Sequence, residues 1–148
     1  DNNKFEKIPI FPYSVKYNSA FYGPFREAAK SSPNFGDRKT YQMNFKNSEE
    51  AINEVKLDIN EGADVIIIKP AISYLDIIYR IKQKFNVPII AYNVSGEYTM
   101  VKSASEKNFI NGIETILEIL HSIKRSGANA IISYHALEVA KYLKANDL

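Results

Sequence analysis

The sequence predicts an α/β fold built on a parallel sheet, and three observations carry that reading. Short apolar runs alternate four times with stretches of helical periodicity, the order of successive βα units. The run Asp64 to Lys69 is almost continuously apolar, as in a strand buried on both faces. Finally, Lys16 and Lys69 each close such a run, in IPIFPYSVKY (Ile8 to Tyr17) and ADVIIIKPA (Ala63 to Ala71). The C-terminal end of a parallel strand is where α/β folds gather their chemistry.

The elements follow in order. The first strand covers Ile8 to Lys16. A long loop from Tyr22 to Tyr41 comes next, carrying Gly23-Pro24, Ser31-Ser32-Pro33-Asn34 and Gly36-Asp37. These are turn formers, and a loop of that length inside a compact domain reads as a lid. Asn47 or Ser48 caps a helix with Glu49 and Glu50 in its first turn. Ala51, Ile52, Val55, Leu57 and Ile59 give that helix an apolar stripe, and Gly62 stops it. The second strand is Asp64 to Lys69. Ser73 is placed to cap a helix carrying Leu75, Ile77, Ile78, Ile81 and Phe85.

Val87 to Asn93 forms the third strand, with Pro88 at its start where a missing N–H is tolerated. Ser95-Gly96 breaks it. Helices at Tyr98 to Lys107 and Ile113 to Ser126 follow, the latter closed by Gly127. Ala128 to Tyr134 is the fourth strand and His135 to Lys144 the last helix. Four βα units are half of an eight-fold barrel, and four strands also suit a small open sheet. Periodicity alone leaves both open.

Composition narrows the function classes. A chain of 148 residues suffices for one domain with a core. A net charge of +2 with scattered lysines gives no basic tract for nucleic acid. No apolar run approaches the ~20 residues that span a bilayer, and the polar start DNNKFEKIP does not read as a signal peptide. With no cysteine, disulfides and thiolate metal sites are excluded from this segment.

Every strand end carries a hydrogen-bonding or nucleophilic side chain: Lys16, Lys69, Tyr92 with Ser95, and Tyr134. Two lysines that converge lower each other's pKa, and a neutral lysine amine forms a Schiff base with a ketone or aldehyde. Arg26 and Arg38 in the loop, with Gln42 just after it, suit a carboxylate. The set points to a small substrate bearing both a ketone and a carboxylate. Taken singly, each residue has a plainer reading. A lysine at a strand end is commonly solvated, two of ten tyrosines at strand ends is weak evidence, and Glu49-Glu50 suits a helix N-terminus. His121 reads as structural or exposed, and His135, at the start of the last helix, is close enough to touch the site but reads as non-catalytic. The joint pattern carries the argument.

That pattern resembles a known family. YSVKYNSAFYGPFREAA is similar to the first Schiff-base lysine segment of the porphobilinogen synthase (5-aminolevulinate dehydratase) family, and IIIKPAISYLDII to its second. YNVSGEYTMVK and RSGANAIISYHALEVAKYL resemble its next two strand-end motifs. The similarity runs from about Ile8 to Leu143. It implies a (β/α)8 TIM barrel of which residues 1–148 supply the last four βα units, the C-terminal half of a single catalytic domain with a lid at about 22–41. The missing N-terminal half is then a required partner, because half a barrel leaves open sheet edges and an apolar face.

The resemblance further implies condensation of two 5-aminolevulinate molecules to porphobilinogen with loss of two waters, in tetrapyrrole (heme) biosynthesis. Lys69 matches the lysine that holds the P-site substrate as an imine, and Lys16 the second active-site lysine, at the A site. Arg26, Arg38 and Gln42 match the positions that hold the A-site carboxylate, and Phe25 an aromatic wall. Ser95 and Tyr134 match the hydroxyls that hold the P-site carboxylate, while Tyr92 packs the pocket. A divalent metal is implied, zinc or magnesium at an active site whose ligands lie outside this chain. Glu54 matches the glutamate of an allosteric magnesium site. A homo-octamer in cytoplasm or plastid is also implied. The alternatives are another class I lysine-imine aldolase-type barrel, which would show a phosphate-binding glycine motif near the last strands, and a non-catalytic half-barrel assembly module. No such glycine motif follows Ile131-Ile132.

Overall fold

The computed structural model describes residues 7–30 and 41–147. Four parallel strands form one sheet in sequence order: β1 (Val15–Lys16), β2 (Ile66–Lys69), β3 (Ile89–Asn93) and β4 (Ala130–Ser133). Six helices accompany them among the described residues: α1 (Gly23–Ala28), α2 (Glu49–Asn60), α3 (Leu75–Lys84), α4 (Ser95–Glu106), α5 (Gly112–Arg125) and α6 (Ala136–Ala145). Sequential parallel strands with helical crossovers are the arrangement of a partial βα barrel.

The register decides what faces where. Lys16 pairs with Lys69, Ile68 with Ala91, and Tyr92 with Ile132. Side chains alternate across a strand, so one set (Val15, Ile66, Ile68, Ile89, Ala91) lies on one face of the sheet. These residues are fully buried and join Ile52 and Val55 of α2, Ile77, Ile78 and Ile81 of α3, and Ile123 of α5 in one core. Burying each such side chain is worth about 1.5–3 kcal/mol. The other set, including Lys16, Lys69, Tyr92 and Ile132, faces away from the helices. Ile132, at 39% exposure, is uncovered on that side.

Several boundaries depart from the sequence reading. The first strand does not begin at Ile8: only Val15 and Lys16 pair as β1. Pro9 and Pro12 have no N–H to give a ladder. The segment still runs beside β2, where the Ile10 carbonyl accepts from Asp64 at 3.1 Å and the Pro12 carbonyl from Ile67 at 3.0 Å. The Asp64 carboxylate accepts the Ile10 N–H at 2.7 Å. Part of the expected loop is the helix α1, with Pro24 in its first turn.

Asn47, not Ser48, caps α2, its Oδ1 accepting from Glu49 and Glu50. Ser48 instead accepts from Arg80, which also pairs with Glu49. Ser73 caps nothing: a 3-10 turn over Ile72–Tyr74 leads into α3. Ser95-Gly96 ends β3 as expected, but the same two residues open α4, three positions before Tyr98. Gly62 and Gly127 stop α2 and α5 with φ of 100° and 121°, a region glycine enters freely. None of the described helices is long and apolar enough to cross a membrane.

Candidate active site

The C-terminal ends of the strands open into one cavity of about 140 Å³. Lys16 and Lys69 lie opposite each other on its floor because β1 and β2 are in register there. Gln42 reaches the cavity through a backbone bridge at the sheet edge: Met43 donates to the Lys16 carbonyl at 3.1 Å, and Asn18 donates to the Met43 carbonyl at 2.8 Å. Phe25 and Arg26 come from α1, Tyr92 from β3, Ser95 from the first position of α4 and Tyr134 from just beyond β4. Eight of the ten expected site residues therefore share one cavity. Arg38 lies outside the described residues. Glu54 sits on the exposed face of α2 and does not line the cavity.

Lys69 is held in a cluster of tyrosine rings. Its Nζ lies 3.8 Å from the ring centroid of Tyr13, 5.3 Å from that of Tyr92 and 5.8 Å from that of Tyr22. Burial pushes its amine down, and the charge of Lys16 pushes it further, to a pKa of about 8. Roughly a tenth of the amine is then neutral at pH 7, hundreds of times the neutral share of an ordinary lysine. The aromatic faces stabilise a cation at the same point, which suits an iminium as well as an ammonium. Tyr92 is pushed up to about 12, chiefly by burial and then by the Tyr134 hydroxyl beside it, so it remains a neutral phenol.

Two groups in the cavity hold polar atoms in reserve. Nη2 of Arg26 and both side-chain polar atoms of Gln42 are buried without a hydrogen-bond partner among the described residues. Buried donors left unpaired are costly, so such atoms mark where a ligand bonds. Ser95, in contrast, is engaged: its Oγ accepts from the Phe25 N–H at 3.1 Å and donates to the Phe21 carbonyl at 3.4 Å. It fastens α1 to the start of α4.

The structure adds lining residues that sequence reading passed over. Tyr13, Tyr22 and Val94 all border the cavity. Tyr22 also donates its hydroxyl to the Lys69 carbonyl at 3.2 Å. Its signal was its place in FYGPFREAA, while Tyr13, in an irregular segment, gave none. His135 is buried against Tyr98, with Nδ1 3.5 Å from a Glu138 oxygen, and does not line the cavity. Among the described residues no three His, Asp or Glu side chains converge as a metal site. Glu54 alone is one oxygen donor where magnesium takes six ligands, so the described residues do not by themselves complete a magnesium site.

A sequence model described as delta-aminolevulinic acid dehydratase matches residues 1–142. The chain belongs to the delta-aminolevulinic acid dehydratase family. Relatives in this family include the enzymes so named from Synechocystis sp., 56% identical over 97% of this chain, and from Bacillus subtilis, 55% identical over 97%. The chain spans 44% of the length of each. Among solved structures, delta-aminolevulinic acid dehydratase (porphobilinogen synthase) from Toxoplasma gondii, in complex with the reaction product porphobilinogen, matches with a TM-score of 0.91 at 48% identity. That match covers 95% of this chain and 40% of the Toxoplasma chain. The family assignment and this likeness agree with the barrel fold. The four strands of this chain are part of that barrel.

Proposed function

We propose that the complete protein containing this chain condenses two 5-aminolevulinate molecules to porphobilinogen, with Lys69 and Lys16 as the imine-forming amines. One observation carries the reading: two lysines paired in register on adjacent strands, in one cavity, with Lys69 brought down to about 8. A structural lysine has no need of a depressed amine, whereas a Schiff-base nucleophile requires one.

The chemistry assigns each group a task. Neutral Lys69 attacks the ketone of the first substrate, and loss of one water from the carbinolamine leaves an iminium flanked by the rings of Tyr13 and Tyr92. Lys16 holds the second substrate in the same way. The amine of the substrate on Lys69 then replaces Lys16 at the second substrate's carbon. The enamine carbon of that second substrate bonds to the carbon held by Lys69, and Lys69 leaves by elimination with a proton from the adjacent carbon. Both lysines are thus regenerated without consuming water, and two waters are lost overall. Holding both reactants turns a bimolecular encounter into an intramolecular one, worth up to roughly 7–11 kcal/mol. The unpartnered donors Arg26 Nη2 and Gln42 Nε2 suit one substrate carboxylate, and the family resemblance adds Arg38 to the same task. Ser95 and Tyr134 suit the other carboxylate, Ser95 by turning its hydroxyl from the long bond to Phe21. Glu54 would supply one oxygen to a magnesium ion whose remaining ligands come from elsewhere. The uncovered inner face around Ile132 and Tyr134 is where the remaining half of the barrel would close.

Borohydride reduction in the presence of 5-aminolevulinate, on the complete protein, tests the reading by peptide mass mapping. A reduced adduct on Lys69, with or without one on Lys16, is expected. A folded, metal-replete protein with no adduct on either lysine would overturn it and leave the half-barrel as a binding module.

A further inference from the structure

We propose that Glu97 is a positioning residue for the lysine chemistry, its buried carboxylate fixing the strand ends that carry Lys69, Ser95 and Tyr134 relative to one another. The inference rests on the imine reading of Lys69. Glu97 is fully buried in the first turn of α4. One carboxylate oxygen accepts from the backbone N–H of Ala71 at 3.0 Å and of Ile72 at 2.6 Å. The other accepts from the Val94 N–H at 2.7 Å and the Asn93 amide at 3.3 Å.

Capping α4 explains only one of these four bonds, the one from Val94. The rest reach across the top of the sheet. Ala71 and Ile72 belong to the turn that leaves β2 directly after Lys69. Asn93 continues the chain: its Oδ1 accepts from the Ser133 hydroxyl at 2.9 Å, and Ser133 Oγ accepts the His135 N–H at 3.1 Å. Those two residues flank Tyr134. A single strap, buried at Glu97 and Asn93 and partly buried at Ser133, therefore joins the ends of β2, β3 and β4, and every residue in it lies within three residues of a cavity group. Four donors on two oxygens require the ionised carboxylate. Burial pushes the carboxyl up, and the donated hydrogen bonds oppose that push.

Glu97→Gln in the complete protein tests this. It keeps the side-chain size but turns an amide NH2 toward N–H donors. Misplacing a reacting group by about 1 Å costs on the order of 100-fold. We expect kcat to fall by about that factor, with a smaller rise in KM because the strap also positions Ser95 and Tyr134, which suit a substrate carboxylate. Trapping of 5-aminolevulinate at Lys69 should slow in parallel. Asn129→Ala is the control: Asn129 Oδ1 accepts the Ile89 N–H at 3.0 Å, at the opposite end of β3 from the cavity. It should lower the unfolding temperature and leave kcat and trapping unchanged. If Glu97→Gln does not fold, Asn93→Ala, which removes one donor and cuts the strap toward β4, should show the same pattern on a smaller scale.

Suppose wild type is labelled at Lys69, and Glu97→Gln, or Asn93→Ala in its place, matches Asn129→Ala in turnover and trapping. Glu97 is then merely structural and the inference falls alone. A wild type with no label on Lys69 overturns it together with the imine reading.

Discussion

Gly96 and Phe21 meet backbone to backbone: a Cβ on Gly96 would stand 2.5 Å from the Phe21 carbonyl oxygen and 2.6 Å from its Cα. Gly96 opens α4 beside Ser95, and Phe21 leads into α1, so this contact sets how closely the cavity wall approaches the strand ends. Neither partner is a flexible side chain that can swing aside. Gly96→Ala should therefore destabilise the complete protein by about 1–3 kcal/mol, the usual cost of overpacking. Denaturant unfolding measures it. An unchanged midpoint would mean that the wall yields at no cost.

The paired lysines make a prediction about pH. On the proposed imine reading the neutral amine is the nucleophile, so trapping at Lys69 should rise with pH through about 8. Lys16→Ala removes the like charge but not the burial, which is the larger cause. The trapping midpoint should then move upward, only part of the way to 10.5, when the rate is followed across pH. A downward move would contradict the assigned cause.

Stability should respond in a related window. Lys69 has a folded-state pKa below its unfolded value, so between about 8 and 10.5 the unfolded chain binds more protons than the folded one. Stability then rises with pH across that interval, as the cost of burying the ammonium is relieved. Lys69→Met should flatten this part of the stability profile, measured by chemical denaturation from pH 7 to 10.5.

On the same reading, Arg26→Ala should separate the two proposed substrate sites. A lost charge-assisted hydrogen bond is worth about 1.5–3 kcal/mol, or roughly 10- to 100-fold in affinity. The substrate requirement should rise by that order, while a first equivalent of 5-aminolevulinate still traps on Lys69. Equal loss of both would argue against separate carboxylate sites.

Most of the site was legible because strand ends are legible. Apolar runs ending in Lys16, Lys69 and Asn93 announce where a parallel sheet stops, and the chemistry follows at that edge. What escaped had long-range causes. Tyr13 enters the cavity from a segment whose prolines deny it a regular strand, so no periodicity marks it. Ser95 reads as a strand breaker, yet it opens a helix because Glu97 lies three residues beyond Val94 and accepts its N–H. Pro24 was read as a turn, although proline in a helix's first turn is equally at home. In each case a partner distant in sequence, or a residue with two local uses, decided the outcome.

The depressed amine of Lys69 has a cost beyond its intended chemistry. A partly neutral lysine in an open cavity is also open to stray electrophiles, whether cyanate, an activated ester or a reactive aldehyde. A mild acylating reagent near pH 8 should therefore modify Lys69 readily, and on the proposed reading bound substrate would shield it.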